Sequence, residues 1–126
     1  MRKLTVTIVV VALPGALAVL GVAAVASGST VSAAGTKSVT IADNSYSPHK
    51  FSVHKGTIVK WTWASDVMND HTVTQADRHF EPKDSGFGSE EQSTGTYRHR
   101  FRKAGTYYVV CLVHPTEMRM KIVVKP

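Results

Sequence analysis

The sequence predicts an all-β fold, a Greek-key β-sandwich of about eight short strands. Short segments rich in β-branched and aromatic residues alternate between apolar and polar positions, which is typical of strands with one buried face. Clusters of Gly, Pro, Asn, Asp and Ser separate these segments at the short intervals expected of turns. Beyond the apolar N-terminal segment no stretch shows helical periodicity, and a sandwich is the architecture that buries one face of many short strands.

The first part of the chain differs from the rest and predicts export. The basic pair Arg2-Lys3 precedes an apolar run from Leu4 to about Ala26, and small residues follow. A basic start, an apolar centre and a small-residue exit are the features of a secretory signal peptide. The run is also long enough to span a bilayer, so an uncleaved N-terminal anchor is the alternative.

We therefore expect residues 1–34 to form the signal peptide or anchor and residues 35–126 to form a single domain. This domain is expected to be exported, to the periplasm, the cell exterior or the cell-envelope face of a membrane. Removing residues 1–34 lowers the net charge from +6 to +4, an excess too diffuse to indicate nucleic-acid binding. A modest basic balance suits partners with acidic surfaces, or an anionic envelope.

Alternation places the strands along the chain. The clearest are predicted at residues 38–42, 50–53, 57–64, from 71 onward, 97–101, 107–111 and 119–124. Asp43-Asn44-Ser45 is predicted as a turn. In the third strand Val59, Trp61 and Trp63 share one face, so we expect them in the core. Residues 76–95 are rich in charge, Gly and Ser and are expected to be irregular.

The segment 97–101 carries an arginine row. Its aromatic residues and His99 share one face, while Arg98, Arg100 and Arg102 share the other. We expect His99 to be packed in the core. Two interpretations of the arginine row stay open: a docking surface for an acidic partner, or the solvated face of a strand whose charge discourages edge pairing.

The one cysteine of the chain lies among metal-binding residue types near the C-terminus. Cys111 precedes His114 by three residues, and Met118 follows four residues later. An exported protein with one cysteine forms no internal disulfide, and a thiolate, an imidazole and a thioether are donors that copper binds. A trigonal site needs a third in-plane donor, for which His71 is the best candidate. Two imidazoles and a thiolate with a long axial thioether are typical of blue-copper electron-transfer sites.

These residues give the chain a resemblance to the cupredoxin family, and within it to the single-domain plastocyanin, amicyanin and azurin group. The resemblance extends from about Val39 to Val124 and includes a His-Thr-Val sequence and the spacing Cys-x2-His-x3-Met. It implies one copper ion in a type 1 site whose metal ligands are His71, Cys111, His114 and Met118.

The resemblance also implies roles for the surrounding residues. Thr72 would connect its loop to the cysteine loop through its side chain, and its backbone N–H would bond the thiolate. His114 would be the partly exposed ligand through which electrons pass, within an apolar patch to which Leu112, Val113 and Pro115 contribute. The implied function is the transfer of single electrons between redox partner proteins, by a protein that is not an enzyme and that we expect to be a monomer.

The chain departs from the family pattern near the site. Met120 stands where the family usually has Gly two residues after its axial methionine, so there are two axial candidates. The position of Met118 in the loop favours it as the ligand. Met120 shares its parity with Ile122 and Val124, which favours a core position for that thioether.

Other functions stay open on the sequence. A carrier that delivers copper to another exported cuproprotein could use a similar ligand set, because soft donors also hold Cu(I). An enzyme with a Cys111–His114 nucleophile pair would need a third orienting group and an oxyanion site, and the sequence signals neither. Zinc suits two histidines and a cysteine, but a methionine as the fourth donor argues against it.

Overall fold

Eight strands form the folded domain. A computed structural model describes residues 34–126, so the signal peptide or anchor expected at residues 1–34 lies, except for its last residue, outside the described residues. The strands are β1 Thr36–Ala42, β2 Ser45–Ser47, β3 Lys50–His54, β4 Ile58–Trp63, β5 Thr74–Ala76, β6 Thr96–Arg100, β7 Gly105–Val110 and β8 Arg119–Lys125. Residues 34–126 include no helix long and apolar enough to span a membrane.

The strands form two four-stranded sheets packed on one core. The first sheet has the order β2-β1-β4-β6 and the second the order β3-β8-β7-β5. β1 pairs with β4, and β3 with β8, in parallel; the other neighbouring strands are antiparallel. Every connection from β2 to β7 passes from one sheet to the other. The predicted all-β sandwich is therefore confirmed.

Alternation along the strands builds the core between the sheets. In β4 the residues Val59, Trp61 and Trp63 are buried, while the residues between them are half-buried. In β8 alternate residues from Met120 to Val124 are buried in the same way. Both inner faces are those predicted from the sequence. Each fully buried aliphatic or aromatic side chain contributes about 1.5–3 kcal/mol to the free energy of unfolding.

The segment between β5 and β6 also contributes to the core. Phe87 stacks on His99 with ring centroids 4.1 Å apart and contacts Phe101 edge-on at 5.4 Å. His99 is half-buried on the inner side of β6, as predicted, and desolvation lowers the pKa of its imidazole. The segment expected only to be irregular thus covers part of the sandwich with an aromatic ring.

Two of the predicted strand boundaries that differ from the structure lie at the donor residues. The strand expected to begin at His71 begins at Thr74, because His71 pairs only with Gln92 through an isolated bridge. The two N–H···O distances of that bridge are 2.9 and 3.1 Å. The strand expected to include Cys111 ends at Val110. Both histidine and cysteine therefore lie in loops, immediately beyond the regular sheet.

Strand β2 is a short element that the sequence analysis does not include. The chain turns at Asp43-Asn44, and Ser45–Ser47 then pairs antiparallel with the end of β1. Asn44 has a φ of 61°, a left-handed conformation that Asn adopts more readily than most residues. Three residues bounded by a proline are too few for alternation to indicate a strand.

Loops from both sheets meet at one end of the sandwich, which we call the site end. They are the β1–β2 turn, the β4–β5 loop and the β7–β8 loop. At the opposite end the chain enters β1 beside the start of β4, where the Ile58 N–H donates to the Gly35 carbonyl at 3.1 Å. The strands between the two ends are six to seven residues long in β1, β4, β7 and β8.

Candidate metal centre

Three donor side chains meet at the site end. Cys111 is the first residue after β7, His114 follows in the β7–β8 loop, and His71 lies in the loop before β5. Cys111 Sγ is 3.8 Å from Nδ1 of His71 and 4.0 Å from Nδ1 of His114, and the two Nδ1 atoms are 3.2 Å apart. Within residues 34–126 this is the one cluster of His, Cys, Asp or Glu whose donor atoms could share an ion.

The spacing of these donors fits one metal ion. Bonds of about 2.3 Å to sulfur and about 2.0 Å to nitrogen let a sulfur and a nitrogen on one ion lie up to about 4.3 Å apart, and two nitrogens up to about 4.0 Å apart. All three measured separations are within those limits. Cys111 and His71 are fully buried, and His114 is half-buried. Of the three donors, only His114 therefore has a ring edge that faces the solvent.

A carboxylate that the sequence predicts only as part of a turn orients His71. Nε2 of His71 lies 3.1 Å from Oδ1 of Asp43, in the β1–β2 turn. An ionised carboxylate only accepts hydrogen bonds, so Nε2 carries the proton and Nδ1 keeps its lone pair towards Cys111 and His114. Such a partner fixes the tautomer of a metal-binding histidine and raises its basicity.

Asp43 also ties the turn to the loop that carries His71. Its carboxylate accepts hydrogen bonds from the backbone N–H of Met68, at 3.1 Å to Oδ2, and of Asn69, at 3.3 Å to Oδ1. The bond with His71, followed by that with Met68, holds the pKa of the Asp43 carboxyl below its usual value. In the sequence Asp43 is indistinguishable from an ordinary turn residue; only the packing of the turn against the loop shows its role.

Thr72 joins the histidine loop to the cysteine loop. Its backbone N–H donates to Cys111 Sγ at 3.4 Å, and its Oγ1 accepts from the Leu112 N–H at 2.9 Å. Both contacts are the ones implied by the family resemblance, and they are confirmed. An N–H directed at the sulfur orients it and helps to set the properties of a bound metal.

Tyr46, in the unpredicted strand β2, holds Thr72 in place through a hydrogen bond. Its hydroxyl donates to the Thr72 carbonyl at 2.5 Å. Burial, and secondarily the charge of a Cys111 thiolate, raise the pKa of Tyr46 above its ordinary value. The phenol therefore stays protonated and continues to donate throughout the neutral pH range.

Backbone hydrogen bonds close the loop that carries His114. The Cys111 N–H donates to the Met118 carbonyl at 3.0 Å, and the Met118 N–H donates to the His114 carbonyl at 3.0 Å. Arg119 adds a bond from Nε to the Pro115 carbonyl at 2.7 Å. The protein itself thus holds the loop in its conformation.

The two methionines of this region are both buried. Met118 ends the β7–β8 loop, and Met120 lies in β8 opposite Val109. The core position predicted for Met120 is confirmed, and Met118 packs in the same core cluster. The assignment of Met118 as the axial ligand stays a prediction.

Apolar side chains are exposed beside His114. Leu112 is 51% and Val113 39% exposed, and Pro115 is exposed as well. These are the residues that the family resemblance predicts in an apolar patch. Met68 of the β4–β5 loop, 87% exposed, is a further exposed apolar residue at the site end that the sequence does not predict.

Comparison with protein families gives a match over most of the chain. The model of the copper binding proteins of the plastocyanin/azurin family matches residues 33–125. Comparison with curated protein sequences gave no match.

Solved structures with the same fold include copper proteins of several kinds. A purple cupredoxin from Nitrosopumilus maritimus is 23% identical with a TM-score of 0.61, over 70% of this chain and 98% of that one. A reduced Cu(I) form of an amicyanin variant is 26% identical with a TM-score of 0.57, over 71% of this chain and 82% of that one. A copper-containing nitrite reductase from Thermus scotoductus is 24% identical with a TM-score of 0.57, over 71% of this chain but only 22% of that one.

The fold, the donor cluster and the family match agree with one another. The thiolate and imidazole donors are of the kind that copper binds, and their spacing accommodates one ion. The family match covers nearly the whole described domain. This chain belongs to the plastocyanin/azurin family of copper binding proteins.

Proposed function

We propose that this protein is an exported mononuclear type 1 copper protein that carries single electrons between redox partner proteins. The observation that supports this most strongly is the convergence of Cys111, His71 and His114 on one point from two separate loops. A thiolate with two imidazoles in this arrangement is the donor set of blue-copper electron-transfer sites. Exported location follows from the N-terminal sequence and is part of the proposal.

In this proposal His71 and His114 would hold the copper through Nδ1, Cys111 through its thiolate and Met118 through its thioether. The bound copper supplies a Cu(I)/Cu(II) couple that gains or loses one electron. Asp43 holds the His71 ring with its distal nitrogen protonated, and the Thr72 N–H keeps the sulfur in place. These contacts are made within the polypeptide, so the donor atoms would keep nearly the same positions in both oxidation states of the copper.

Electrons are proposed to pass through the solvent-facing edge of His114. This ring is the half-buried member of the donor set, and the exposed Leu112 and Val113 lie on the same loop. Weak redox encounters use small interfaces, which a patch of this kind can supply. An enzymatic role for Cys111 as a nucleophile is disfavoured, since its sulfur is fully buried and a substrate could not reach it.

Spectroscopy of the Cu(II)-loaded protein tests the proposal directly. We expect an intense visible charge-transfer band and a small parallel hyperfine splitting in the EPR spectrum, both arising from the thiolate bond. Rapid electron self-exchange between the two oxidation states distinguishes a carrier of electrons from a carrier of copper. A colourless protein with large hyperfine splitting, or one that surrenders copper quickly to a chelator and exchanges electrons slowly, would contradict the proposal.

Replacing Asp43 with Asn should weaken Cu(II) binding by about tenfold or more, the usual cost of losing a hydrogen-bond partner behind a ligand. The amide can still accept from His71, but without the negative charge the ring is a weaker donor. Because the oxidised ion depends more on donor strength, we also expect a higher reduction potential. Competition titration and redox titration measure the two effects.

Asp66→Asn is the matched control for this substitution. Asp66 is an exposed acidic residue of the β4–β5 loop. Its replacement by Asn therefore removes the same charge from the same end of the molecule. If both variants change affinity and potential equally, Asp43 acts only through general charge and not through His71.

The two methionines are distinguished by their separate replacement with alanine. Met118→Ala should keep the visible band, since the three in-plane donors remain, but should shift the reduction potential. Met120→Ala should leave the spectrum nearly unchanged and lower the free energy of unfolding by about 2–5 kcal/mol, because it empties a core position. Absorption, redox titration and denaturant unfolding give the comparison. The opposite pattern would make Met120 the axial ligand.

A further inference from the structure

Acidic residues are concentrated at the site end of the domain. None of the eight strands contains Asp or Glu, so every carboxylate side chain of the described residues lies in a turn or loop. The segments 43–44, 64–73, 89–95 and 111–118 contain no Lys or Arg. They contain six acidic residues, namely Asp43, Asp66, Asp70, Glu90, Glu91 and Glu117. The third of these segments belongs to the site end because Gln92 pairs with His71.

The opposite end has the reverse composition, and we call it the basic end. It presents five exposed cationic side chains, those of Lys55, Arg100, Arg102, Lys103 and Lys125. The segments that form it, 34–36, 54–58, 100–106 and 123–126, contain no Asp or Glu, and Asp77 beside residues 104–106 is accompanied by Arg78 and Lys83. The one ion pair found among residues 34–126 is that of His71 with Asp43, at the other end. These five cations therefore have no carboxylate partner within the described domain.

Backbone contacts make the basic end one continuous surface. The Lys55 N–H donates to the Lys125 carbonyl at 2.8 Å, which joins the β3–β4 turn to the end of β8. The Gly56 N–H donates to the Phe101 carbonyl at 2.6 Å, which joins the same turn to the β6–β7 connection. Arg100 adds a bond from its guanidinium to the Gly56 carbonyl at 2.9 Å.

The polypeptide enters the domain at this same end. Gly35 is bound to Ile58 at the start of β4, and β1 begins at Thr36. The apolar run ends at about residue 26, so only about nine residues separate it from the domain, and these extend at most about 30 Å. Whenever that run is in a membrane, during export or as an anchor, the basic end is held within about 30 Å of the lipid. The site end lies about 20 Å from the basic end, the length of a six-residue strand.

We propose that the basic end docks on the anionic phospholipid surface of a membrane and turns the site end towards the solution. Each Lys or Arg near such a surface strengthens the association by about fivefold, and the effect is confined to a Debye length of about 10 Å. The basic end carries five cations that the anionic surface attracts, whereas the same surface repels the six carboxylates of the site end. One orientation is selected, in which His114 faces partner proteins. The inference does not depend on the bound metal and goes beyond the proposed electron transfer.

Lysine acetylation of the full-length chain in lipid nanodiscs tests the orientation. Nanodiscs of neutral phosphatidylcholine are compared with nanodiscs that also contain anionic phosphatidylglycerol, and acetylation rates are read by mass spectrometry. We expect the rates at Lys55 and Lys103 to fall at least about fivefold on the anionic nanodiscs at low salt and to recover at high salt. The rate at Lys50, an exposed lysine of β3 that pairs with Lys121 nearer the site end, should not change. Equal rates at Lys55 on both lipids would overturn the proposal, as would protection that salt does not relieve.

Charge reversal separates this surface from a general effect of net charge. Arg102→Glu with Lys103→Glu alters two exposed residues of the basic end, and Lys55 should lose its protection on anionic nanodiscs. Lys50→Glu with Lys121→Glu changes the net charge equally at paired positions of β3 and β8 that lie nearer the site end, and Lys55 should stay protected. Loss of protection in both double variants would show non-specific attraction only. Binding of the basic end to an acidic protein in place of lipid would leave Lys55 unprotected on either nanodisc.

Discussion

Replacing Cys111 with Ser should abolish the visible charge-transfer band of the copper-loaded protein. The band requires a thiolate bonded to Cu(II), and a serine hydroxyl is a harder donor that does not ionise at neutral pH. We expect the Cu(II) affinity to fall by more than the roughly 10- to 100-fold that the loss of a ligand's hydrogen-bond partner causes. Absorption and EPR spectra with a copper titration measure both effects.

His49→Gln is the control for this substitution, because His49 is an exposed histidine outside the donor cluster. It should leave the band intact. Retention of the full band in Cys111→Ser would exclude the thiolate as a ligand and with it the proposed site. Serine is close to cysteine in size, so the buried position after β7 should remain filled in the variant and the fold should persist.

Replacing Trp61 with Ala should lower the free energy of unfolding by about 3–5 kcal/mol. The indole is fully buried between the sheets and packs against Tyr97 and Phe87, with ring centroids 5.7 and 6.2 Å away. A loss of this size is a large share of the roughly 5–15 kcal/mol that stabilises a typical domain. Denaturant unfolding of the metal-free protein measures it without a contribution from copper.

Trp61→Phe is the informative comparison. It keeps an aromatic ring in the core and removes an indole N–H that is buried without a hydrogen-bond partner. An unpaired buried donor costs about 1–3 kcal/mol, so the phenylalanine variant should lose much less stability than the alanine variant. Equal losses in the two variants, or a loss below about 1 kcal/mol for alanine, would contradict the central packing role of this ring.

The donor cluster shows which parts of a site the sequence can predict. Cys111 and His114 are close in sequence, so their chemistry and spacing together indicate a metal site without knowledge of the fold. His71 can be selected only because a third donor is required and a strand was expected nearby. The strand in fact begins three residues later, yet the ring reaches the same point. The need for a third donor side chain therefore identifies His71 better than its predicted secondary structure does.

Asp43 and Tyr46 show what the sequence does not predict. Both act through contacts with residues more than 25 positions away, at His71 and Thr72. Asp is common in turns, and a single tyrosine between serines gives no periodicity, so neither residue is distinctive in the sequence. Strand alternation in β4 and β8 is much more informative, because several residues report on the same buried face.

The long sequence separation of the donors has a consequence for when copper can be acquired. The contacts that join the histidine loop to Cys111 and His114 span 39 to 43 residues. In an unfolded polypeptide only the thiol and the imidazole three positions away are neighbours, and bringing the third donor to them costs loop-closure entropy. When the protein folds, packing of the two sheets against each other offsets this loss of entropy. Tight coordination therefore belongs to the finished tertiary structure, so a chain exported unfolded acquires its ion only after it has folded.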